Sequence, residues 1–489
     1  MPTEEELRKN RIEKLKKIKK KGMQPYPAET KRTHTIKECL DTFEELEKNK
    51  EKITLAGRIR AIREHGGSTF VDLKDGTEQI QLFFQEDKLG KEDYNFFLDN
   101  FDIGDFIEVK GKIFKTNRGE ETLEVSDYKI LSKSILPLPE KWHGLQDTEE
   151  RYRKRYLDIM FNKETREMII KKSKFWKSVR EFLEEKGFLE VQTPVLETTP
   201  GGADARPFKT HHNALDMDLY LRISMGELWQ KKLMVAGLNK TFEIGRQFRN
   251  EGIDPEHLQD YTQMEFYWAY ASYKDGMKLV KKLYRHIAKE VFGKLKFKIG
   301  EFNVDLSKKW EEYDYRSIVL DETGVDVLDT NIKEVKEKLK ELGIKYDQKG
   351  FNLARGIDNL WKYCRKSIEG PGFLVNIPTI VSPLAKRKED NPELAQRFQP
   401  IIAGSELGNG YSELNDPIDQ AERFKRQQEM REAGDEEAQQ FDKGFVKALS
   451  YGMPPTCGFG MSERVFSFLM NKSLKECQIF PLMKPKNNK

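Results

Sequence analysis

The stretch FRNEGIDPEHLQDYTQMEFYWAY, residues 248–270, carries the pattern that decides the fold of this chain. Alternating side chains on both sides of a polar loop predict a β-hairpin. Polar and charged residues would share a face on each strand, Arg249 with Glu251, and Gln263 with Glu265 and Tyr267. Such charges are costly to bury unless a ligand or a partner pairs with them, so the hairpin is a candidate binding site. The alternative is a solvated hairpin with cross-strand salt bridges.

Three other segments have the composition of a binding site without being specific by themselves. In GFLEVQTPV, 187–195, an apolar strand is predicted to end at Pro194, as in ordinary helix–strand packing. SELGNGYSELNDP, 405–417, places two glutamates around glycines and could hold Mg²⁺ or a cationic substrate, or be a charged turn. GFGMSERVFSFLM, 458–470, lets the backbone approach a ligand closely, and Arg464 then opens an apolar helix.

Residues 51–135 differ from the rest of the chain in their pattern of short segments with alternating apolar and polar residues. Five short alternating segments, separated by glycine- and aspartate-containing turns and interrupted by a helical stretch near 87–100, predict a five-stranded OB-type barrel. Other small barrels would have a similar pattern.

The chain is expected to divide into four regions. Residues 1–50 hold a basic helix and a connector; 51–135 form the barrel; 136–162 are a linker; and 163–489 form a second domain with an insertion at about 286–370. The first helix, 4–21, carries nine Lys or Arg against four Glu, and is either a solvated helix or an arm that contacts RNA phosphates.

Composition excludes several classes of protein. No stretch reaches the ~20 apolar residues that a membrane span needs, and no apolar signal-peptide core follows the N-terminus, so the cytoplasm is the expected location. The four cysteines form no CxxC pair, which argues against a disulfide framework and a structural zinc site.

Taken together and in this order, the four segments resemble the signature motifs of class II aminoacyl-tRNA synthetases. The hairpin is similar to motif 2, 458–470 to motif 3, and Pro194 to the motif 1 proline at the dimer interface. GGADARPFKTHHNALDMDLYLR, 201–222, and SELGNGYSELNDP resemble the lysine-specific members of subclass IIb. The resemblance covers essentially the whole chain. It implies an α+β protein with an N-terminal OB-fold anticodon-binding domain, a catalytic antiparallel sheet flanked by helices, and a homodimer.

The resemblance also implies roles for individual residues. Arg249 and Arg464 would be catalytic and would hold the phosphates of ATP. Further ATP contacts would come from Glu251, His257, Tyr261 and Glu406. The lysine pocket would be lined by Gly202, Glu227, Arg249, Glu265, Tyr267, Asn409, Tyr411 and Glu413. Glu406 and Gln399 would be the metal ligands, and Arg63, Phe70 and Gln81 would bind the anticodon.

Three departures from the family pattern affect these roles. Gln399 replaces a glutamate that many lysine enzymes have, which keeps an oxygen ligand but loses a charge. Ser224-Met225-Gly226 replaces a shorter stretch that ends in proline, so the placement of Glu227 is open. The motif 3 loop is one residue short and has Ser462 where glycine is usual.

The resemblance implies ATP-dependent activation of L-lysine to lysyl-adenylate, with Mg²⁺ as cofactor, and transfer of lysine to the 3′ end of tRNA(Lys). Three carboxylates agree with this substrate, because free lysine carries two ammonium groups. The alternatives are a sister synthetase for aspartate or asparagine, a protein-modifying lysyl transferase, and a non-catalytic RNA-binding protein.

Overall fold

A computed structural model of the chain describes residues 3–139, 146–252, 254–348 and 350–486. Residues 140–145 of the predicted linker therefore lie outside the described residues. The chain divides into two compact units, Met1–Gln146 and Asp147–Lys489.

The first unit contains a closed barrel and short helices. Its helices are α1 Glu4–Lys20, α2 Ile36–Asp41, α3 Phe43–Asn49, α4 Glu86–Leu89 and α5 Lys91–Asn100. Its strands are β1 Ile53–His65, β2 Ser68–Lys74, β3 Gln79–Gln85, β4 Phe106–Lys115 and β5 Glu121–Ser132. They close in the order β1-β2-β3-β5-β4, with β4 returning to pair with β1. The five-stranded barrel and the helical interruption predicted from the alternation are confirmed.

The barrel closes around side chains that alternate along the strands. Val71 and Leu73 of β2 are fully buried, as are Leu82 and Phe84 of β3. The residues between them point to the outer face because the side-chain period of a strand is two. The outer face of β2 and β3 is therefore available for binding.

The second unit contains eleven helices within the described part of the chain. They are α6 Thr148–Arg153, α7 Arg155–Phe161, α8 Lys163–Glu185, α9 Glu227–Val235, α10 Tyr273–Phe292, α11 Tyr315–Thr323, α12 Ile332–Glu341, α13 Leu353–Cys364, α14 Pro417–Glu432, α15 Lys443–Leu449 and α16 Arg464–Met470. The described part of this unit also contains two 3₁₀ turns, Arg365–Ser367 and Thr379–Val381.

Strands β6–β19 of this unit form one large sheet and two small ones. They are β6 Leu189–Glu190, β7 Leu196–Glu197, β8 Lys209–His212, β9 Met217–Leu221, β10 Lys240–Phe248, β11 Asp260–Ala269, β12 Lys296–Ile299, β13 Phe302–Asp305, β14 Glu311–Asp314, β15 Gly372–Val375, β16 Arg397–Ile402, β17 Ser405–Glu406, β18 Asn409–Ser412 and β19 Thr456–Ser462. The large sheet runs β14-β15-β16-β18-β19-β11-β10-β6, with β17 beside β16. All its pairs are antiparallel except β14 with β15 and β6 with β10, at the two edges.

Strand β11 shows how the large sheet divides its two faces. Met264 and Phe266 are buried in the main core, which also contains residues of α8 and α10. Tyr267 and Ala269 point the other way and join a second core with residues of α9 and α15. Glu265 shares the face of Tyr267 by the same alternation, so it points away from the main core.

The region of the predicted insertion contributes its own small core. Residues of α11, α12 and α13 pack together with the fully buried Leu374 of β15 and Ile401 of β16. The amphipathic segment EVKEKLKELG, 334–343, lies largely in α12, whose inward residues Val335 and Leu339 are fully buried.

The structure differs from the sequence interpretation before Pro194. Instead of an apolar strand reaching that residue, β6 has two residues, and Leu189 and Val195 are exposed. Val191 donates one backbone hydrogen bond to Phe242 of β10, at 2.8 Å, and the ladder ends there. Proline has no N–H to donate, so the strand cannot continue through it.

In the part of the chain that the structure describes, no helix combines the length and the apolar character that crossing a membrane requires.

Candidate functional site

A cavity of about 360 Å³ opens on the outward face of the large sheet, beside β11, β18 and β19. This volume lies in the range of small-molecule sites. The cavity brings together all the predicted ATP, amino-acid and metal residues, which are Gly202, Glu227, Arg249, Glu251, His257, Tyr261, Glu265, Tyr267, Gln399, Glu406, Asn409, Tyr411, Glu413 and Arg464. The individual roles of these residues remain predictions.

Glu265 is held by four donors on the floor of the cavity. Its Oε1 accepts from Ser224 Oγ at 3.0 Å, from the Met225 backbone N–H at 2.9 Å and from Gln263 Nε2 at 2.7 Å. Its Oε2 accepts from Tyr267 Oη at 3.2 Å. Burial, and after it the Glu227 carboxylate, raises the pKa of Glu265 to about 8. Its orientation is fixed before any ligand arrives.

The segment Ser224-Met225-Gly226, which departs from the family pattern, is part of this arrangement. Two of its residues supply donors to Glu265. Gly226 has a φ of 72° and precedes α9, so Glu227 is the first residue of that helix. The open placement of Glu227 is thereby resolved: it lies in the cavity, where it accepts a hydrogen bond from the Tyr411 hydroxyl.

Glu413 is 1% exposed and follows directly after β18. Its backbone N–H donates to Thr456 O of β19 at 2.8 Å, which sets the side chain over Gly458. A Cβ at Gly458 would lie 2.0 Å from Glu413 Oε1, so this position requires glycine. Burial raises the pKa of Glu413, and the adjacent Lys231 ammonium opposes that rise.

Gly202 borders the same group of carboxylates. Its φ is +85°, and a Cβ there would lie 3.0 Å from the Cβ atoms of Glu227 and Ser224. Glycine is therefore needed both for the backbone conformation and for space.

Sequence reasoning missed Lys231, whose side chain is fully buried between two of these glutamates. Its Nζ lies 3.2 Å from Glu227 Oε1 and also contacts Glu413 Oε2. The signal that could have found it is the spacing in ELWQK, since residues four apart lie on the same face of a helix.

Arg249 and Glu251 are not on a strand, contrary to the sequence interpretation. Strand β10 ends at Phe248, and both residues lie in the loop that follows. The Arg249 N–H donates to Gln259 O at 2.8 Å, and its Nε donates to Ile223 O at 3.3 Å. Its guanidinium lies 5.7 Å from the centre of the Tyr261 ring, so Tyr261, itself 9% exposed, supports the arginine from one side.

Arg464 begins α16, as predicted, and contacts the loop of the hairpin. Its Nη2 donates to Glu256 Oε2 and to Ser405 Oγ, the latter at 2.6 Å. His257, next to Glu256, is exposed and lies 2.8 Å from Asp254 through its Nδ1. A phosphate that binds Arg464 would therefore compete with the Glu256 carboxylate.

Ser462, where the family usually has glycine, has a local structural role. Its Oγ accepts from the backbone N–H of Arg464 at 3.3 Å. This bond satisfies one of the amide groups that the start of a helix leaves without a partner. The shortened loop therefore still presents Arg464 to the cavity.

Asn409 is held at the edge of the cavity by a second residue that sequence reasoning missed. Arg397 Nε of β16 donates to Asn409 Oδ1 at 2.8 Å. Because the oxygen of the amide is used in this bond, its NH₂ group faces other partners.

The two candidate metal ligands come from neighbouring strands. Gln399 lies in β16 and Glu406 lies in β17, where it pairs with Ile401 of β16. The Glu406 carboxylate accepts a hydrogen bond from Trp361 Nε1. Among the described residues, no group of three or more His, Cys, Asp or Glu is placed to hold a metal by itself. One carboxylate and one amide oxygen fit an Mg²⁺ ion that takes its other ligands from nucleotide phosphates.

In the barrel unit, Arg63, Phe70 and Gln81 lie on three adjacent strands. Arg63 is opposite Phe70 and Phe70 is opposite Phe83, while Gln81 is two residues from Phe83 on the same strand. Cross-strand partners share a face, so these side chains form one outer surface. The Phe70 ring is half-buried and stacks on Phe83 with ring centres 4.8 Å apart.

This surface contains bonds that sequence reasoning did not anticipate. Arg63 pairs with both oxygens of Asp72, at 3.0 and 2.6 Å, and Gln81 Oε1 accepts from Thr122 Oγ1 at 3.0 Å. Phe83 extends the aromatic surface toward Phe114, with ring centres 6.0 Å apart. The alternation of β3 could have identified Phe83.

Two family models match the chain. Residues 147–484 match tRNA synthetases class II (D, K and N). Residues 53–131 match the OB-fold nucleic acid binding domain.

Curated relatives match over nearly the full length. A lysine–tRNA ligase of Carboxydothermus hydrogenoformans is 44% identical, covering 99% of this chain and 99% of that protein. Lysine–tRNA ligases of Thermosipho africanus and Thermotoga maritima are each 41% identical, covering 98% of this chain and 96% of theirs.

Proposed function

Because this chain belongs to the class II tRNA synthetases of the D, K and N group, we propose that it is the lysine-specific member. It activates L-lysine with ATP and transfers the lysine to its tRNA. The observation that carries the choice of amino acid is the set of three buried glutamates, Glu227, Glu265 and Glu413, beside the cavity. Two ammonium groups of lysine would be paired there, whereas an aspartate side chain would be repelled.

In the first step, a lysine carboxylate oxygen forms a bond to the α-phosphorus of ATP, and pyrophosphate leaves. Arg249 would stabilise the charge that develops on the α-phosphate, and Arg464 would bind the γ-phosphate. In the second step, a ribose hydroxyl at the 3′ end of tRNA forms an ester with the lysyl carbonyl carbon, and AMP leaves. Neither step needs a protein nucleophile, because placement and charge stabilisation carry the reaction.

We propose the remaining ATP, lysine and metal contacts because the residues concerned line the same cavity. Glu251, His257 and Tyr261 would bind ATP, and Asn409, Tyr411, Tyr267 and Gly202 would complete the lysine site. Glu406 and Gln399 would hold Mg²⁺, which supplies charge neutralisation at the phosphate oxygens when bound. The proposed domain limits, 1–50, 51–135, 136–162 and 163–489 with the insertion at about 286–370, likewise remain part of this proposal.

We also propose a homodimer that works in the cytoplasm. Exposed apolar side chains cluster around Pro194, at Leu189, Val195 and Leu196. Single exposed hydrophobic residues are ordinary, but a cluster of them often marks an interface between proteins.

The decisive test of amino-acid specificity is ATP–pyrophosphate exchange with each of the twenty amino acids. Lysine is expected to support exchange far above the other nineteen, because lysine alone among the twenty carries two ammonium groups to pair with the three glutamates. Exchange driven by aspartate or asparagine would contradict the proposal. The absence of exchange with any amino acid would contradict the assignment as an active synthetase.

For the barrel surface, we expect Phe70→Ala to impair aminoacylation and to spare amino-acid activation. Loss of one aromatic stacking partner typically costs ~1–3 kcal/mol of binding to a single-stranded base. Phe70 is half-buried and lies outside the barrel core, so the thermal midpoint should change little. The measurements are the midpoint, lysine-dependent exchange and the KM for tRNA, all on one preparation.

Phe84→Ala is the matched control for that experiment. Phe84 is fully buried and its ring is stacked on Phe97 with centres 4.2 Å apart, so its loss should destabilise the barrel by ~3–5 kcal/mol. A Phe70→Ala protein that resembles this control, or that keeps a normal KM for tRNA, would refute the stacking role and leave Arg63 and Gln81 as candidates.

A further inference from the structure

Lys231 is a fully buried cation inside the proposed lysine site. It lies on α9, four residues after Glu227, and its ammonium contacts both Glu227 and Glu413. The ammonium also lies 5.5 Å from the centre of the Tyr411 ring and 5.6 Å from that of Phe445. The protein therefore places an ammonium group of its own against the carboxylates proposed to bind the ammonium groups of the substrate.

Stabilisation of the folded protein does not by itself explain why Lys231 is buried against Glu227 and Glu413. Burying an ion pair has a desolvation penalty that often equals its Coulomb energy, and apolar residues of similar size commonly stabilise a core as well. The positive charge of Lys231 does, however, act on the neighbouring carboxyl groups. Glu227, Glu265 and Glu413 repel one another, and burial favours the protonated forms of Glu265 and Glu413. A protonated carboxyl cannot form an ion pair with an ammonium group.

We propose that Lys231 is a positioning residue for amino-acid recognition, which orients Glu413 and Glu227 toward the substrate and supplies a positive charge between them. This inference rests on the proposed function. Lys231 contacts Glu413 through Oε2, and Oε1 lies over Gly458 at the cavity wall. One oxygen is thus held by the protein and the other is left for the ligand.

The formal charges of the site residues agree with these roles of Lys231 and Glu413. With every group ionised, the carboxylates of Glu227, Glu265 and Glu413 and the cations Lys231 and Arg249 sum to a formal charge of −1. Lysine with both ammonium groups and its carboxylate charged is +1. Without Lys231 the formal charge would be −2, and the protonation that burial already favours at Glu265 and Glu413 would be favoured further.

The titratable groups that interact with Glu227 or Glu413 include Lys231 of α9, Glu265 and Tyr267 of β11, Tyr411 of β18 and Cys457 of β19. Strand β10 also packs against α9, and its Glu243 is paired with Arg222. On α15 the neighbour of the ammonium is Phe445, whereas Lys443 and Lys447 are exposed. Burial lowers the pKa of Lys231, but Glu413 and Glu227 outweigh that effect and leave the pKa above its usual value. Lys231 is therefore a permanent cation at neutral pH.

The test compares Lys231→Met with Lys231→Arg and with Lys232→Met as the matched control. Lys232 is the next residue on α9, and its ammonium lies over the Trp229 ring, 4.3 Å from the centre. KM for lysine, KM for ATP and kcat are measured by exchange from pH 7 to pH 9. The thermal midpoint is measured on the same proteins.

At pH 7 we expect Lys231→Met to raise the KM for lysine about tenfold or more, because Glu413 loses the cation that orients it and opposes its protonation. The KM for ATP should stay within about twofold. Burial raises the pKa of Glu413 even beside Lys231, and loss of the cation should raise that pKa further, so lysine affinity should recover only at a higher pH than in the wild type. Lys231→Arg should restore most of the affinity, and Lys232→Met should resemble the wild type.

The double variant Lys231→Met/Glu413→Gln removes both charges and keeps the proposal testable if the single variant is unstable. The amide that replaces the Glu413 carboxyl cannot titrate, so the pH dependence of the double variant should match that of Glu413→Gln alone, in which Glu265 still titrates. A defect that does not change with pH, a double variant whose pH dependence matches that of Lys231→Met, or a lowered KM for lysine in Lys231→Met would each overturn the proposal. Failure of the proposed function is distinct, because wild-type protein would then show no lysine-dependent exchange.

Discussion

Replacing Arg249 with alanine is expected to reduce lysine-dependent pyrophosphate exchange by ~10²-fold or more, the usual effect of losing a donor that stabilises transition-state charge. Arg249 lines the cavity just beyond the end of β10, and its guanidinium is held by Ile223 O and by the Tyr261 ring. Because its orientation is fixed before the substrates bind, no other side chain can take its place at low cost.

Arg246→Ala is the control for this prediction. Arg246 lies on the same hairpin, is exposed and pairs with Asp260 at 3.2 Å. Surface pairs contribute ~0–1 kcal/mol, so this variant should keep normal exchange and stability. Exchange by Arg249→Ala within about threefold of the wild type would remove Arg249 from the mechanism.

The second large effect is expected for Glu413→Gln, which should weaken lysine binding much more than ATP binding. The carboxylate is 1% exposed, and its loss would leave one ammonium group poorly paired in a partly desolvated site. The cost is on the order of 2–4 kcal/mol, or roughly 30- to 1000-fold in lysine affinity. Separate KM values for lysine and for ATP, measured by exchange, provide the comparison.

Glu406→Gln gives the reciprocal comparison, because Glu406 is the proposed metal ligand. That variant should weaken ATP binding more than lysine binding. If Glu413→Gln instead affected ATP as much as lysine, Glu413 would be a metal ligand or a structural residue, and the amino-acid site would have to be reassigned.

Local patterns were sufficient to predict much of the architecture. The alternation of residues 53–131 specified five strands, because a side-chain period of two leaves one face for the core. The stretch 163–186 has a helical apolar spacing and is followed by Gly187, and these two local features account for α8. The family resemblance pointed to the residues that line the cavity, since their types and order carry the chemistry.

Other features depended on contacts that no local pattern encodes. The strand expected before Pro194 has two residues, because beyond Val191 the Thr193 N–H bonds to the side chain of Glu243 and does not continue the ladder with the β10 backbone. Arg249 was expected on a strand but lies in a loop, since the ladder between β10 and β11 starts at Phe248 and Asp260. The point at which each of these strands ends therefore depends on its bonding to the neighbouring strand, and not on its own sequence.

The sequence by itself determined the barrel strands, the long helix α8, the family and the chemical types of the site residues, because these follow from short-range periodicity and from motifs. Only the tertiary structure decided which distant groups meet. Ser224 meets Glu265, Glu256 meets Arg464, and Lys231 meets Glu413, each across long stretches of chain. The physical reason is that a sheet juxtaposes residues by strand order and register, which depend on the packing of the whole domain and leave no trace in local spacing.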